Sequence, residues 1–434
     1  MNSIEKAATS KTFCIYPWIH QYVDPTGDVK PCCIYNPNKE GIGNLKDNSL
    51  KELWNNDLTK QMRLDMLNGV TIQGCSKCNS REGISTTHRD EVNIIWNHQI
   101  QNLVAQTNVD GSLPTHELKY IDARFNNLCN FKCRTCGPRF STSWYDDYQN
   151  TRDENAYNEF PKTLLYPGNT KEHLLEEMIE QLPHVERIYF AGGEPMMQVE
   201  HYLILENLIN LKDTDVINKL PMIVYSTNFS SLKLGNRYAI DLWRQFPKVV
   251  LNLSLDGSYE RAEYWRKGTK WNDIVDNLKT VINDNPRARI SINYTLSWVN
   301  AFNLPDLHKE WVMLGYINPN KINVNCLDDP DMYSLKGIPT WKKKQIEQKF
   351  LEHIDWLRSV KSSDNNKFFK VYDSTIKQFT DAISFMNSFD SGNDFVYKKT
   401  FKEVNTKYDR VRNEDFLKVF TEHTDMIEFI QEKQ

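Results

Sequence analysis

Residues 118–136 read LKYIDARFNNLCNFKCRTC, a short apolar stretch followed closely by three cysteines. The stretch Leu118–Arg124 has the length and composition of a buried strand. Cys129, Cys133 and Cys136 follow it, with three and then two residues between them. Three thiols this close together can bind three irons of one cubane cluster, and this loop contains no fourth cysteine. The fourth iron would then be open to a ligand from outside the protein.

A zinc site is the alternative interpretation of the same three cysteines. Structural zinc is bound by four ligands in a tetrahedral arrangement, so one more residue would be needed. His116 or His184 could supply it. The three cysteines alone do not distinguish an iron–sulfur cluster from a zinc site, so the surrounding sequence is needed.

Strand and helix patterns alternate from about residue 117 onward. The predicted strands are Leu118–Arg124, Val185–Phe190, Met222–Ser226, Val249–Ser254, Arg289–Leu296 and Lys321–Asn325. The helical patterns between them include His201–Leu211, Arg237–Phe246 and Trp271–Asp284. This alternation predicts parallel strands joined by crossover helices. We therefore predict an α/β fold with a partial (β/α)6 TIM-type barrel, whose chemistry lies at the C-terminal ends of its strands.

Glycine-rich and polar residues follow three of these strands. They are Gly192, Gly193, Glu194 and Pro195 after the second strand, Ser226 and Asn228 after the third, and Ser254 and Asp256 after the fourth. Glycines let the backbone approach a ligand closely, and a carboxylate accepts hydrogen bonds from an ammonium group. Each of the polar residues could instead form a turn or cap a helix.

The cysteine spacing, together with the Gly-Gly-Glu-Pro segment, resembles the radical S-adenosylmethionine (SAM) superfamily over residues 117–326. The resemblance implies a [4Fe-4S] cluster whose fourth iron is chelated by the amino and carboxylate groups of SAM. It implies that one electron breaks a carbon–sulfur bond of SAM and that the resulting 5′-deoxyadenosyl radical abstracts hydrogen from a substrate. By the same resemblance, the strand-end residues are the candidate contacts to SAM, and Asp256 could serve SAM or the substrate. Arg266 is a candidate partner for the SAM carboxylate or, alternatively, a member of a surface salt bridge.

A second cysteine group precedes the barrel region and comprises Cys14, Cys32, Cys33, Cys75 and Cys78. With the turn sequence before Cys32, it resembles the auxiliary-cluster modules called twitch or SPASM domains. The resemblance implies a second, auxiliary iron–sulfur cluster held by Cys14, Cys32, Cys75 and Cys78. Cys33 is the alternative to Cys32, and a zinc ion held by four thiolates is the alternative to the cluster.

Three regions follow from these patterns. Residues 1–115 form the loop-rich cysteine module, 116–326 the barrel, and 327–434 a helical extension. Helices are predicted for Ser49–Leu67, Arg89–Gln106, Trp341–Arg358, Val371–Ser388 and Asn413–Gln434, and an insertion for Thr151–Lys171. Cys326, after the last strand, is a hydrogen-atom donor or, alternatively, a small core residue.

Composition limits the partners and the cellular compartment that we expect for the protein. The formal net charge of -4 disfavours nucleic acid as a partner, and no run of about 18 apolar residues predicts a membrane span. Clustered cysteines and the absence of a secretory signal in Met1–Thr12 predict a cytoplasmic protein. The expected partners are a reductant such as flavodoxin or ferredoxin and a substrate, which is a peptide or protein side chain. The alternatives are a small-molecule substrate, such as a sugar or nucleoside, and a non-catalytic electron-transfer protein.

Overall fold

The computed structural model describes residues 10–36, 41–83, 86–151, 163–363 and 369–432. Two compact units divide the chain, the first comprising Met1–Asn127, Leu164–Val224 and Lys233–Val249, and the second Leu128–Thr163, Tyr225–Leu232 and Val250–Gln434. The three sequence regions stay a prediction beside this division. Of the predicted insertion, residues 152–162 lie outside the described ranges. None of the described helices combines the length and the hydropathy needed to span a bilayer.

The strands are β1 (Tyr22–Val23), β2 (Asp28–Lys30), β3 (Gly43–Asn44), β4 (Tyr120–Ala123), β5 (Lys132–Cys133), β6 (Arg187–Phe190), β7 (Met222–Thr227), β8 (Lys233–Leu234), β9 (Arg237–Tyr238), β10 (Val249–Ser254), β11 (Arg266–Lys267), β12 (Arg289–Leu296) and β13 (Ile322–Cys326). The helices are α1 (Tyr16–Ile19), α2 (Leu50–Trp54), α3 (Asp57–Leu67), α4 (Ser76–Arg81), α5 (His88–Ala105), α6 (Trp144–Thr151), α7 (His173–Gln181), α8 (Val199–Asp213), α9 (Ala239–Trp243), α10 (Tyr259–Trp265), α11 (Trp271–Asp284), α12 (Asn303–Met313), α13 (Thr340–Ser363), α14 (Phe369–Asn387), α15 (Lys398–Arg412), α16 (Phe416–Val419) and α17 (Thr424–Glu432).

Parallel pairing dominates the barrel strands in both units. In the first unit β4 pairs in parallel with β6 and with β1, and β1, β2 and β3 form an antiparallel ladder. In the second unit β12 pairs in parallel with β10 and with β13. Strand β7 begins in the first unit and ends in the second. The six predicted strands are thus present as β4, β6, β7, β10, β12 and β13, which confirms the α/β class.

Amphipathic patterns explain why these segments form their elements. In β10 buried and half-buried residues alternate, and Leu251 and Leu253 are fully buried on one face. Helix α11 begins and ends at the predicted residues and buries Ile274, Leu278 and Val281 at spacings of four and three. The apolar stripe of such a helix can cover the apolar face of a parallel sheet, which is the basis of the α/β core.

Two helix predictions were wrong in detail. The predicted helix over residues 49–67 is interrupted, because the side chain of Asn56 accepts a hydrogen bond from Thr59 N at 2.9 Å and starts a new helix. The helix predicted over residues 413–434 begins later than expected, because residues 413–415 are not helical. Asn413 has a φ of 53° and ends helix α15, which the sequence did not predict.

A buried histidine pair joins α12 to α13. His308 Nε2 donates to Pro319 O at 3.1 Å, so its Nδ1 accepts from His353 Nε2 at 2.9 Å. Burial lowers the pKa of His308 to about 4. Burial, followed by the charge of His308 and the nearby Lys309 and Lys349, lowers the pKa of His353 to about 2.

We therefore expect acid to destabilise this part of the fold. The unfolded chain takes up protons near pH 6.5, whereas folded His308 does so only near pH 4, so stability falls as pH drops through this window. The loss is on the order of 3 kcal/mol for one such histidine. Urea unfolding midpoints of His308→Gln should depend less on pH than those of the wild type. The exposed His98, replaced by Gln, is the control and should leave the pH dependence unchanged.

Candidate metal centre and cofactor-binding site

The loop that carries Cys129, Cys133 and Cys136 is fixed by backbone hydrogen bonds within the second unit. Strand β5 pairs antiparallel with β11, which places Arg266 directly opposite Cys133. Arg134 N donates to the carbonyl of the last residue of α10 at 2.9 Å, and Cys136 N donates to Cys133 O at 3.0 Å. These bonds hold the segment between the second and third cysteines in one conformation.

Nitrogen donors surround the sulfur of Cys129. Phe131 N approaches Cys129 Sγ at 3.5 Å, and Asn228 Nδ2 lies 3.9 Å from the same sulfur. Asn228 Nδ2 also donates to Asn130 Oδ1 at 2.8 Å, which ties the end of β7 to the cysteine loop. Hydrogen bonds to sulfur are one means by which a protein tunes an iron–sulfur cluster.

Cys133 is buried and Cys129 and Cys136 are half-buried, and the pKa is raised for two of these thiols. Burial raises the pKa of Cys133, although the Arg266 guanidinium acts against it. Burial and then the charge of Cys133 raise the pKa of Cys136 to about 12. In the metal-free protein Cys133 and Cys136 are therefore thiols at neutral pH, and a metal has to displace their protons to bind.

Two arginines near Cys133 have buried nitrogens that lack a hydrogen-bond partner among the described residues. They are Nε of Arg266 and both Nη atoms of Arg412. A buried, positively charged donor without an acceptor is costly, so such groups favour an anionic ligand. Three thiolates and cationic donors beside them fit a bound iron–sulfur cluster, which has sulfur acceptors and carries negative charge with its thiolate ligands.

The predicted SAM contacts of the second unit divide into two groups. Ser226 Oγ lies 3.3 Å from Ser254 Oγ, and Asn228 contacts the cysteine loop. Asp256 differs from them because it is fully buried and both its oxygens are engaged. Its Oδ1 accepts from Thr295 N at 2.7 Å, and its Oδ2 accepts from Arg266 Nη1 at 2.9 Å. Asp256 thus fixes the arginine that lies opposite Cys133.

The Gly-Gly-Glu-Pro segment lies in the first unit, directly after β6. Gly192 has a φ of +105°, and a Cβ added there would come within 3.1 Å of Arg124 Cβ. Glycine is therefore required at Gly192 for backbone conformation and for space. Gly193 N donates to Asn126 O at 3.3 Å, and the buried Glu194 side chain accepts from Met196 N at 3.2 Å. Pro195 follows Glu194 and begins a short 3-10 helix.

The auxiliary cysteines come together in the first unit. A cavity of about 20 Å³ is lined by Cys14, Cys32, Cys75 and Cys78, with Tyr16, Ile34, Tyr35, His88 and Arg89 around them. Cys75 precedes α4, and Cys78 lies within it. Within the described ranges, no three His, Cys, Asp or Glu side chains are grouped as ligands of a single metal ion.

Cys33 is not among the residues that line this cavity, although its hydrogen-bond partner His88 is. Burial raises the pKa of its thiol, but the hydrogen bond and charge of His88 outweigh burial and lower it overall. The His88 ring is also hydrogen-bonded to the hydroxyl of Tyr16 at 2.9 Å. The four cysteines chosen from the sequence therefore share a cavity, and Cys33 is outside its lining.

Sequence reasoning missed the groups that surround the cysteine loop. Arg134 lies between two of the cysteines and is fully buried against Asp409 and Glu414, and Arg412 reaches Asp147. These pairs are separated by more than 260 residues, and no local pattern signals them. Cys326 is half-buried at the end of β13.

Comparison with known proteins identifies both cysteine regions. The family model of the radical SAM superfamily matches residues 124–296. Residues 124–296 of this chain are therefore a radical SAM domain. The model of the SPASM iron–sulfur cluster-binding domain matches residues 14–79. The predicted order, with the auxiliary module before the radical SAM domain, is confirmed, as is the fold class of a partial TIM-type barrel.

The family assignment also fixes the cofactors. A radical SAM domain binds a [4Fe-4S] cluster and SAM, and a SPASM domain binds an auxiliary iron–sulfur cluster. No curated protein matches this radical SAM chain.

The solved structures that match this chain include native anSMEcpe with bound AdoMet, 17% identical over 56% of this chain and 60% of that chain, with a TM-score of 0.37. SuiB of Streptococcus suis bound to S-adenosylmethionine is 12% identical over 69% of this chain and 62% of that chain, with a TM-score of 0.34. SuiB bound to the precursor peptide SuiA is 15% identical over 63% and 53% of the two chains, with a TM-score of 0.33. The chain thus spans about three fifths of the length of the first solved structures that it matches.

Proposed function

We propose that the protein is a radical SAM enzyme that reductively cleaves SAM to a 5′-deoxyadenosyl radical and uses it to abstract hydrogen from a substrate. The observation that carries the proposal is the cysteine loop, which presents three thiols, is anchored at Cys133 by the β5–β11 ladder, and has cationic donors beside it. When bound, the cluster and SAM supply the one-electron chemistry that breaks the carbon–sulfur bond. The protein positions these groups and excludes side reactions.

The chain's own residues take distinct roles in this proposal. Cys129, Cys133 and Cys136 hold three irons of the [4Fe-4S] cluster. The residues that follow the second, third and fourth predicted strands contact or orient SAM. They are Gly192, Gly193, Glu194, Pro195, Ser226, Asn228, Ser254 and Asp256. Because both oxygens of Asp256 are engaged, we assign it to holding Arg266, and Arg266 to the SAM carboxylate.

We assign a different role to the auxiliary site because it offers four cysteines and not three. Cys14, Cys32, Cys75 and Cys78 line one cavity and would leave no iron of their cluster open. We therefore assign the auxiliary cluster to electron transfer or to shaping the substrate site, and not to binding SAM.

The substrate that we propose is a peptide or protein side chain, because auxiliary modules of the SPASM type accompany such chemistry in the proteins that this chain resembles. A reductant such as flavodoxin or ferredoxin would supply the electron. The clustering of the cysteines favours the reducing cytoplasm.

The proposal is tested by incubating the anaerobically reconstituted protein with SAM and dithionite and measuring 5′-deoxyadenosine by chromatography. We expect its formation, and stimulation by a true substrate. Transfer of deuterium from a labelled peptide into 5′-deoxyadenosine would identify the abstracted hydrogen. Stimulation by a sugar or nucleoside alone would replace the peptide assignment. No cleavage by iron-replete, reduced protein would leave an electron-transfer protein as the better interpretation.

A further inference from the structure

The cysteine loop is attached to the C-terminal extension by Arg134. Its side chain is fully buried, and its Nη2 donates to Asp409 Oδ1 at 2.6 Å and to Glu414 Oε2 at 2.7 Å. Nη1 donates to Asn405 Oδ1 at 2.8 Å, and the guanidinium carbon lies 3.9 Å from the ring centre of Tyr264. Three of the five N–H bonds of this guanidinium are therefore engaged by the end of α15.

The end of helix α15 explains how two carboxylates reach the same guanidinium. Asn405 and Asp409 are one turn apart and lie on one face of the helix. Asn413, with its φ of 53°, then turns the chain back, and Glu414 N donates to Asp409 O at 2.9 Å. The helix end thus forms a built receptor for Arg134, which we name the Arg134 clamp: Asn405, Asp409 and Glu414.

Other ion pairs reinforce the same attachment. Lys132, which precedes Cys133, donates to Asp147 Oδ1 at 2.5 Å. Arg412 of α15 donates to the other oxygen of Asp147 at 2.6 Å. Lys267, in the strand opposite, contacts Glu414 Oε1 at 3.0 Å. The residues on both sides of Cys133 are therefore connected to the end of α15 through shared carboxylates.

These contacts are unlike ordinary surface ion pairs. The side chains of Arg134 and Arg412 have no exposed surface, and that of Asp147 is 3% exposed. Loss of one partner in a buried pair leaves an uncompensated charge, so each member is required for the others. The pairs are also next to cluster ligands, where a small shift of the loop would change the position of a thiolate.

We propose that the Arg134 clamp is part of the SAM-binding cluster site and that Arg134, Asp409 and Glu414 are positioning residues for it. The inference rests on the proposed function. It gives the C-terminal extension a role in positioning the cysteine loop, which the cysteine motif alone does not indicate. The clamp acts through the loop and touches neither SAM nor substrate. Loss of the clamp should therefore alter the binding of the cluster and of SAM more than it alters the rest of the protein.

The decisive variants are Asp409→Asn and Arg134→Gln, with Arg134→Lys as the conservative partner that keeps the charge. Asp425→Asn is the matched control, because Asp425 binds another fully buried cation of the extension, Lys342, at 2.7 Å. The control breaks an ion pair of similar length whose cation is fully buried and which does not involve the cysteine loop. It should lower the melting temperature without affecting the cluster site.

The first readout is the electron paramagnetic resonance (EPR) signal of the reduced full-length holoprotein, recorded with and without SAM. We expect Asp409→Asn and Arg134→Gln to lose most of the SAM-dependent change, Arg134→Lys to recover part of it, and Asp425→Asn to keep it. Apparent SAM affinity should fall at least tenfold in the first two variants. Unchanged spectra and SAM affinity in both would overturn the proposal.

The second readout separates failure of the clamp from failure of the proposed function. Hydrogen–deuterium exchange of the iron-free protein reports on the loop whether or not SAM is cleaved. Amides of residues 131–136 should exchange faster in Asp409→Asn than in the wild type, and at the wild-type rate in Asp425→Asn. Equal exchange in all three proteins would contradict the clamp even if SAM cleavage by the wild type is observed.

Discussion

The Cys129→Ala variant is expected to produce no 5′-deoxyadenosine above background under conditions in which the wild type cleaves SAM. The loop supplies only three thiols, so removal of one leaves two, too few to hold a cubane with a single open iron. The donors at Phe131 N and Asn228 Nδ2 would lose the sulfur that they approach. Chromatographic detection of 5′-deoxyadenosine, with iron and sulfide analysis of the same sample, measures the effect.

The matched control for this change is Cys326→Ala. Cys326 is half-buried at the end of β13, in the same unit as the loop but outside the three-cysteine motif. The Cys326→Ala variant should retain the cluster and uncoupled SAM cleavage. SAM cleavage at the wild-type level in Cys129→Ala would contradict the assignment of the three ligands.

The Cys75→Ala variant is expected to separate SAM cleavage from substrate modification. Cys75 lines the auxiliary cavity, and the three loop cysteines do not, so the SAM-binding cluster should remain. We expect some uncoupled formation of 5′-deoxyadenosine but little modified substrate. The ratio of modified substrate to 5′-deoxyadenosine is the measurement, and its value should fall towards zero.

Cys33→Ala is the control for the auxiliary site. Cys33 is not among the residues that line the cavity and is instead hydrogen-bonded to His88. The variant should keep the coupling ratio of the wild type, whereas Cys32→Ala should lose it. Full coupled turnover in Cys75→Ala would remove any role of the auxiliary site in the reaction.

Much of the fold could be predicted from the sequence because its elements have strong local patterns. Helix α11 was predicted to the residue, since its buried positions recur at helical spacing. Helix α15 was missed because only Phe401, Asn405 and Arg412 are buried within it, and two of these are polar. Its burial depends on Arg134, about 270 residues away, and single-sequence patterns contain no signal for such a contact.

The candidate site was predictable to a similar extent. Cysteine spacing and the resemblance to known modules led to both proposed ligand sets, and four of those cysteines line one cavity in the structure. The role of Asp256 was less accessible, because only the structure reveals that its carboxylate is committed to Thr295 and Arg266. Sequence patterns identify residues with reactive groups, whereas the partners that saturate those groups are set by tertiary packing.

The most direct measurement is EPR spectroscopy of anaerobically purified, dithionite-reduced protein with and without SAM, combined with iron and zinc analysis. An iron of the barrel cluster that lacks a protein ligand predicts a [4Fe-4S] signal whose shape changes when SAM is added. A zinc ion bound by Cys129, Cys133 and Cys136, with no signal that responds to SAM, would contradict it.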